Sequence, residues 1–138
     1  MSKRAAAADR LYAAESALHH MGFVQRFPDL ACAQDYADHV TASRWFQNRW
    51  PNAGTVRVIE TTGDNAFYNF RNHSIELPRW FFTDLIVLHE LAHMVANDNK
   101  HGSRFRLAHL ALVSKFMGVS AGRTYRHVLI AYGFDVRG

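Results

Sequence analysis

The sequence predicts an α+β fold, and three observations carry that prediction. Both ends read as helices of good helix formers, the middle holds short β-rich runs set off by turn residues, and a strongly apolar helix follows them. Helices, then a sheet, then helices is the α+β order rather than the alternation of α/β units. At 138 residues the chain has the length of one domain, 1–138, and 49% hydrophobic residues supply a core. Cys32 is the only cysteine, so neither a disulfide framework nor a cysteine-based zinc knuckle is available.

The elements follow in order. "RAAAADRLYAAESALHHMG" (4–22) predicts a helix that Gly22 stops. Asp29 is placed to cap "LACAQDYADHVTASRWFQNRW" (30–50), read as one helix that Pro51 ends. "TVRVIE" (55–60), "AFYNF" (66–70) and "SIELP" (74–78) read as three strands, separated by "TTGDN" and "RNH", of a small, mainly antiparallel sheet. "DLIVLHELAHMVAN" (84–97) is apolar on nearly every side, the mark of a buried helix. "SRFRLAHLALVSKFM" (103–117) predicts another helix, stopped by Gly118, and a last one runs from about Ala121 to Tyr132 before Gly133.

Charge and hydropathy narrow the function classes. The net charge is +4, but the basic residues are scattered and form no block, so nucleic-acid binding is expected to be at most weak, nonspecific and lost with salt. No run approaches the roughly 18 apolar residues of a membrane span, and Asp9 and Arg10 interrupt the apolar start. A soluble, cytoplasmic protein is expected, in keeping with the single cysteine.

The chemistry sits in "LHELAHMVANDNKHGSRF" (88–105). His89 and His93 are four residues apart, so on a helix their imidazoles share one face and can reach one ion at the roughly 2.0–2.1 Å that zinc prefers. Glu90 lies about 100° further round, too far for an obvious ligand but close enough to touch a water on the metal. It is also the only charged residue from Leu85 to Val95 besides the histidines, and a lone carboxylate in so apolar a helix calls for compensation. "NDNK" should end the helix near Asn97 or Asp98 and return His101 as third ligand. Gly102 is expected to allow an unusual backbone angle there, and Ser103 to cap the next helix. Of the other histidines, His19, His20 and His39 read as solvent-facing and His73 as a turn residue, while His109 and His127 read as structural.

"VLHELAHMV" followed by "HGSRF" resembles the SprT-like and WLM zincin metalloproteases. Together with "RLYAAE", "YADHV", "VRV" and "ELPRW", it resembles more closely a family of small predicted metallohydrolases of actinobacteria and their phages. The resemblance implies Zn2+ on His89, His93 and His101, Glu90 as base, and a minimal zincin-like domain. In that domain the strand before the metal helix, here "HSIELP", would pair with an extended peptide. Seven residues separate His93 from His101, more than in several zincins. No winged or zinc-ribbon addition is recognised in these 138 residues, so cleavage of DNA-crosslinked proteins does not carry over.

The expected function is zinc-dependent peptide hydrolysis, with a zinc-activated water, Glu90 as general base, and a peptide or protein as substrate. The oxyanion needs one more donor, and "GRTYRHV" offers Tyr125 first, with Arg123, Arg126 and His127 beside it. Met117 reads as ordinary core packing. Two alternatives stand beside this reading. One is a zinc hydrolase of a non-peptide substrate, the other a zinc-stabilised module that binds protein or nucleic acid without catalysis. Retention of Glu90 speaks against the second, because a structural zinc site is closed by a fourth protein ligand and needs no base.

Overall fold

In the computed structural model, which describes residues 3–136, helices precede and follow a small sheet as the sequence predicts. Helix α1 (Lys3–His20) turns Leu11, Ala14 and Leu18 into the core, and Gly22 ends it at φ +83, a left-handed angle that suits glycine. The chain then runs beside the entrance to the central helix. Phe27 donates its backbone N–H to the Phe82 carbonyl (2.7 Å), and Asp84 holds the Gln25 backbone N–H through Oδ1 (3.0 Å).

The predicted helix 30–50 is two helices, α2 (Leu30–Ala42) and α3 (Arg44–Arg49). Asp29 caps α2 by accepting from the Cys32 N–H at 2.9 Å. Ser43 makes the break: its hydroxyl donates to the Val40 carbonyl (2.7 Å) and accepts from the Phe46 N–H (3.1 Å). A serine side chain can replace backbone partners in this way, and here it closes one helix and opens the next. The bend lets Phe46 go into the core with Trp50 against it.

The sheet comprises β1 (Arg57–Glu60), β2 (Phe67–Asn69) and β3 (Ser74–Leu77) in the order β1-β3-β2. It is mixed rather than mainly antiparallel: β1 pairs with β3 in parallel, in register Val58↔Ile75, and β2 pairs with β3 antiparallel. The β2–β3 link is tight because Asn69 Oδ1 accepts the Arg71 and Asn72 backbone N–H groups and His73 takes φ 53. The connection through residues 61–66 is longer. Six extended residues reach up to about 20 Å, enough to skip one strand position of roughly 4.8 Å spacing on each side. β3 is therefore central, with both edges paired, and cannot accept an extended peptide as the resemblance implied for "HSIELP". At the open edge of β1, the Gln34 side chain from α2 accepts from the Val58 N–H (2.7 Å) and donates to the Val56 carbonyl (3.0 Å). A side-chain amide here does the work of a neighbouring strand.

A short 3-10 turn (Arg79–Phe81) leads into α4 (Asp84–Ala96), where Thr83 caps the first turn and nearly every side chain is buried. Asn97 ends α4 in the left-handed conformation, φ 53. Helix α5 (Ser103–Phe116) packs on it, α6 (Val119–Ala131) packs on α5, and α1 lies against α6. No described helix is long and apolar enough to cross a membrane.

The α5–α6 contact is close at Gly122. A Cβ there would stand 2.0 Å from Ser114 Oγ and 2.7 Å from the Ser114 Cα, which is backbone and cannot swing aside. Gly122→Ala is expected to destabilise the fold by roughly 1–3 kcal/mol, as overpacking does. A urea midpoint equal to that of the parent would show that the two helices do not meet this closely.

Candidate metal centre

One turn of α4 sets the floor of the site. The i, i+4 spacing brings the His89 and His93 rings to 5.0 Å centroid separation. The loop after Asn97 is bound tightly to the helix it leaves. Asp98 donates its N–H to the His93 carbonyl (3.3 Å), and its own side chain accepts from the Lys100 N–H (2.9 Å). Arg106 Nη1 then holds the His101 carbonyl at 2.7 Å. The outcome is that His101 Nε2 lies 3.1 Å from both His89 Nε2 and His93 Nε2. Nitrogens held about 2.0–2.1 Å from one tetrahedral ion would be about 3.3–3.4 Å apart, close to these two contacts, and the ligand atoms of all three histidines lie within 4.8 Å of one another.

The outer nitrogens fix the tautomers. His93 Nδ1 stands 2.7 Å from the Asp98 carbonyl, which only accepts, so Nδ1 carries the proton and Nε2 keeps its lone pair. His89 Nδ1 is 2.6 Å from the buried carboxyl of Glu15 on α1. Phe105, fully buried, packs face to face on His93 (4.4 Å, 29°) and edge-on to His89 and His101 from the interior side. Gly102 and Ser103 act otherwise than the sequence suggested. Gly102 has ordinary extended backbone (φ −73, ψ −173) and is itself the N-cap of α5, and Ser103 is already inside the helix without capping it.

Burial leaves the histidines in the form that could hold a cation. Burial, aided by the neighbouring His93, drives the His89 ring towards its neutral form, and burial does the same to His93. Neutral imidazole is the form that binds metal. Burial pushes Glu90 up to about 8, with the Glu15 charge adding and a backbone hydrogen bond from Tyr68 opposing. Glu15 is pushed up to about 7 by burial, against the pull of His109 and His93. Its Oε1 is buried with no partner among the described residues, and no lysine or arginine is among the described buried residues to balance either acid. Two Nε2 lone pairs converge on a third nitrogen that can offer only one proton, beside two uncompensated acids. A divalent cation between the histidines would answer both deficits.

The sequence did not single out Glu15, Tyr12 or Phe105. The available signal for the first two was their i, i+3 spacing in "LYAAE", which puts both on one face of α1. Tyr12 is half exposed, and its ring lies 6.3 Å from that of His89 and 5.7 Å from that of His101. His109 lies behind the site, wholly buried, with Nδ1 3.0 Å from the Tyr125 hydroxyl and 3.8 Å from Glu15 Oε2. Burial takes its pKa down to about 3. Tyr125 is thus enclosed in the core against His109 and is absent from the cleft, while Arg123, Arg126 and His127 are exposed on α6. None of these is brought to the position the sequence reading gave the oxyanion donor.

A cleft of about 470 Å³ opens on His89 and Glu90. Tyr12, Ser16 and His19 of α1 form one wall, and Trp80 and Phe81 of the 3-10 turn with Ile86 of α4 give it an apolar side.

Glu15→Gln tests the arrangement with effects of opposite sign. Zinc affinity is expected to fall about 10- to 100-fold, the usual cost of losing the partner that orients a ligand histidine. A buried acid whose pKa is raised gives a fold that loses stability as pH climbs from the ordinary carboxyl range to about 7. The metal-free Gln variant should therefore melt no lower than the metal-free parent at pH 7.5. Chelator competition and thermal melts measure both, and an unchanged zinc affinity would mean that Glu15 does not orient His89.

No protein-family model matches this sequence, and no curated protein matches it. Among solved structures, the chain is similar to the metallopeptidase zymogen jannalysin of Methanocaldococcus jannaschii. The match covers 72% of this chain and 94% of that one at 14% identity, with a TM-score of 0.44, a distance at which no family is assigned.

Proposed function

We propose that the chain is a zinc-dependent metallopeptidase of zincin type. The observation that carries the reading is the placement of His101 Nε2 3.1 Å from both His89 Nε2 and His93 Nε2, next to a buried glutamate that faces a cleft. His89, His93 and His101 would hold the ion. Glu90 stands outside the candidate ligand cluster, so three protein ligands leave one position open, the pattern of a catalytic rather than a structural zinc site. Zinc bound there supplies Lewis acidity, which polarises a carbonyl and lowers the pKa of water.

The chain's own residues do the rest. Glu90 takes one proton from water as the water oxygen adds to the peptide carbonyl carbon. It then passes that proton to the departing nitrogen, so that C–N cleavage yields an acid and an amine with one water consumed. Glu15 keeps the His89 ring in its metal-facing orientation through Nδ1, and the Asp98 carbonyl does the same for His93. Phe105 shuts water out from behind. The apolar side formed by Trp80, Phe81 and Ile86 suits the side chains of a peptide better than a small polar substrate.

Purified protein, stripped with chelator and reloaded with one equivalent of zinc, should cut a mixed peptide library and stop on renewed chelation. A reloaded protein that leaves the whole library intact would remove the peptidase reading.

A further inference from the structure

We propose that Tyr12, from the N-terminal helix, is a catalytic residue of this site: its hydroxyl donates a hydrogen bond to the substrate carbonyl oxygen as negative charge develops there. The inference rests on the hydrolase reading above and supplies the donor that this reading needs. Tyr12 lies near-parallel to the His89 ring (6.3 Å, 16°) and edge-on to the His101 ring (5.7 Å, 76°), so it spans two of the three candidate ligands. Phe105 covers the histidines from the interior, whereas Tyr12 is 54% exposed and borders the cleft from solvent. It stands where a substrate would pass.

The placement follows from α1. Leu11 and Ala14 are buried, and the same helix turns Tyr12, Ser16 and His19, at i, i+4 and i+7, towards the cleft. Those three residues extend about 10 Å along the helix. Glu15, one turn from Tyr12, is held against His89 at 2.6 Å, and this contact fixes the height of Tyr12 over the site. Of the polar side chains along the cleft outside the candidate ligands and Glu90, Tyr12 is the one in ring contact with two of those ligands. No hydrogen bond to its hydroxyl occurs among the described residues, so the group is available to a substrate. A phenolic O–H is a hydrogen-bond donor of the kind a developing oxyanion accepts. Aromatic packing alone would place a phenylalanine here equally well, and that difference is what the test reads.

Tyr12→Phe keeps the ring and removes the hydroxyl. With zinc content and melting temperature unchanged, kcat on a cleaved peptide should fall about 100- to 1,000-fold, the usual loss of one oxyanion donor, with KM within about threefold. A phosphonamidate dipeptide, whose tetrahedral oxygens imitate the charged intermediate, should bind the zinc-loaded variant at least about tenfold more weakly than the zinc-loaded parent. Equal kcat, or equal phosphonamidate affinity, overturns the assignment and leaves Tyr12 as packing. Should the zinc-loaded parent cleave nothing, the peptidase reading falls by itself. The phosphonamidate then decides the role of Tyr12 alone, with no binding or equal binding counting against it.

Discussion

Glu90→Gln is expected to keep its zinc and lose its turnover. The substitution preserves shape and lies outside the candidate ligand set, so metal content should stay that of the parent. An amide cannot take up a proton, and general acid–base catalysis contributes about 10²- to 10⁴-fold, so kcat should fall by that factor with little change in KM. The fold should tolerate the change. Burial already pushes the Glu90 carboxyl up to about 8, so the metal-free protein holds it largely protonated near neutrality, and a neutral amide resembles that form. Initial rates on one cleaved peptide and metal analysis of the same sample suffice. A Gln variant within a few-fold of the parent rate would show that Glu90 does not move the proton.

His93→Ala is expected to act one step earlier, on the metal itself. Binding energies of about 10–16 kcal/mol for structural zinc, divided among a site's ligands, give roughly 3–5 kcal/mol for each, or about 10²- to 10⁴-fold in affinity. Activity at limiting zinc should vanish with it. The substitution also takes the donor from the Asp98 carbonyl and the stacking surface from Phe105, so the metal-free variant should melt below the metal-free parent. His127, exposed on α6 and outside the cleft lining, is the matched control, and His127→Ala should bind zinc as the parent does. Competition with a chromophoric chelator gives the three affinities. Parent-like affinity in His93→Ala would place the metal elsewhere, and the buried group Glu15, His89 and His109 would be the next place to look.

What could be read from the sequence and what could not divides along a physical line. The relation of His89, Glu90 and His93 was legible because they share one turn, and helix geometry fixes the directions of residues one and four apart. Asp29 as a cap, Asn97 as the end of α4 and Gly22, Gly118 and Gly133 as stops were legible for the same reason: each depends on a few neighbouring bonds. Ser43 was a local signal too, a capping residue inside a helical pattern, and the good helix formers around it hid the break.

Tertiary structure decided the rest. Three consecutive β-rich runs suit an antiparallel meander, and only the path of residues 61–66 puts β3 in the centre and closes the edge that an incoming peptide was expected to use. Tyr125 was named from the last helix, but the packing of α6 encloses it against His109, while Tyr12 reaches the cleft from the other end of the chain. Glu15 meets His89 across 74 residues. By itself, then, the sequence determined the α+β class, the buried helix and the ligand spacing within one turn, since those follow from bonds between near neighbours. Which helix supplies the carboxylate behind His89 and which aromatic borders His89 and His101 on the cleft side depends on how α1 docks. That docking is set by apolar surfaces from distant parts of the chain, and no spacing along the sequence encodes it.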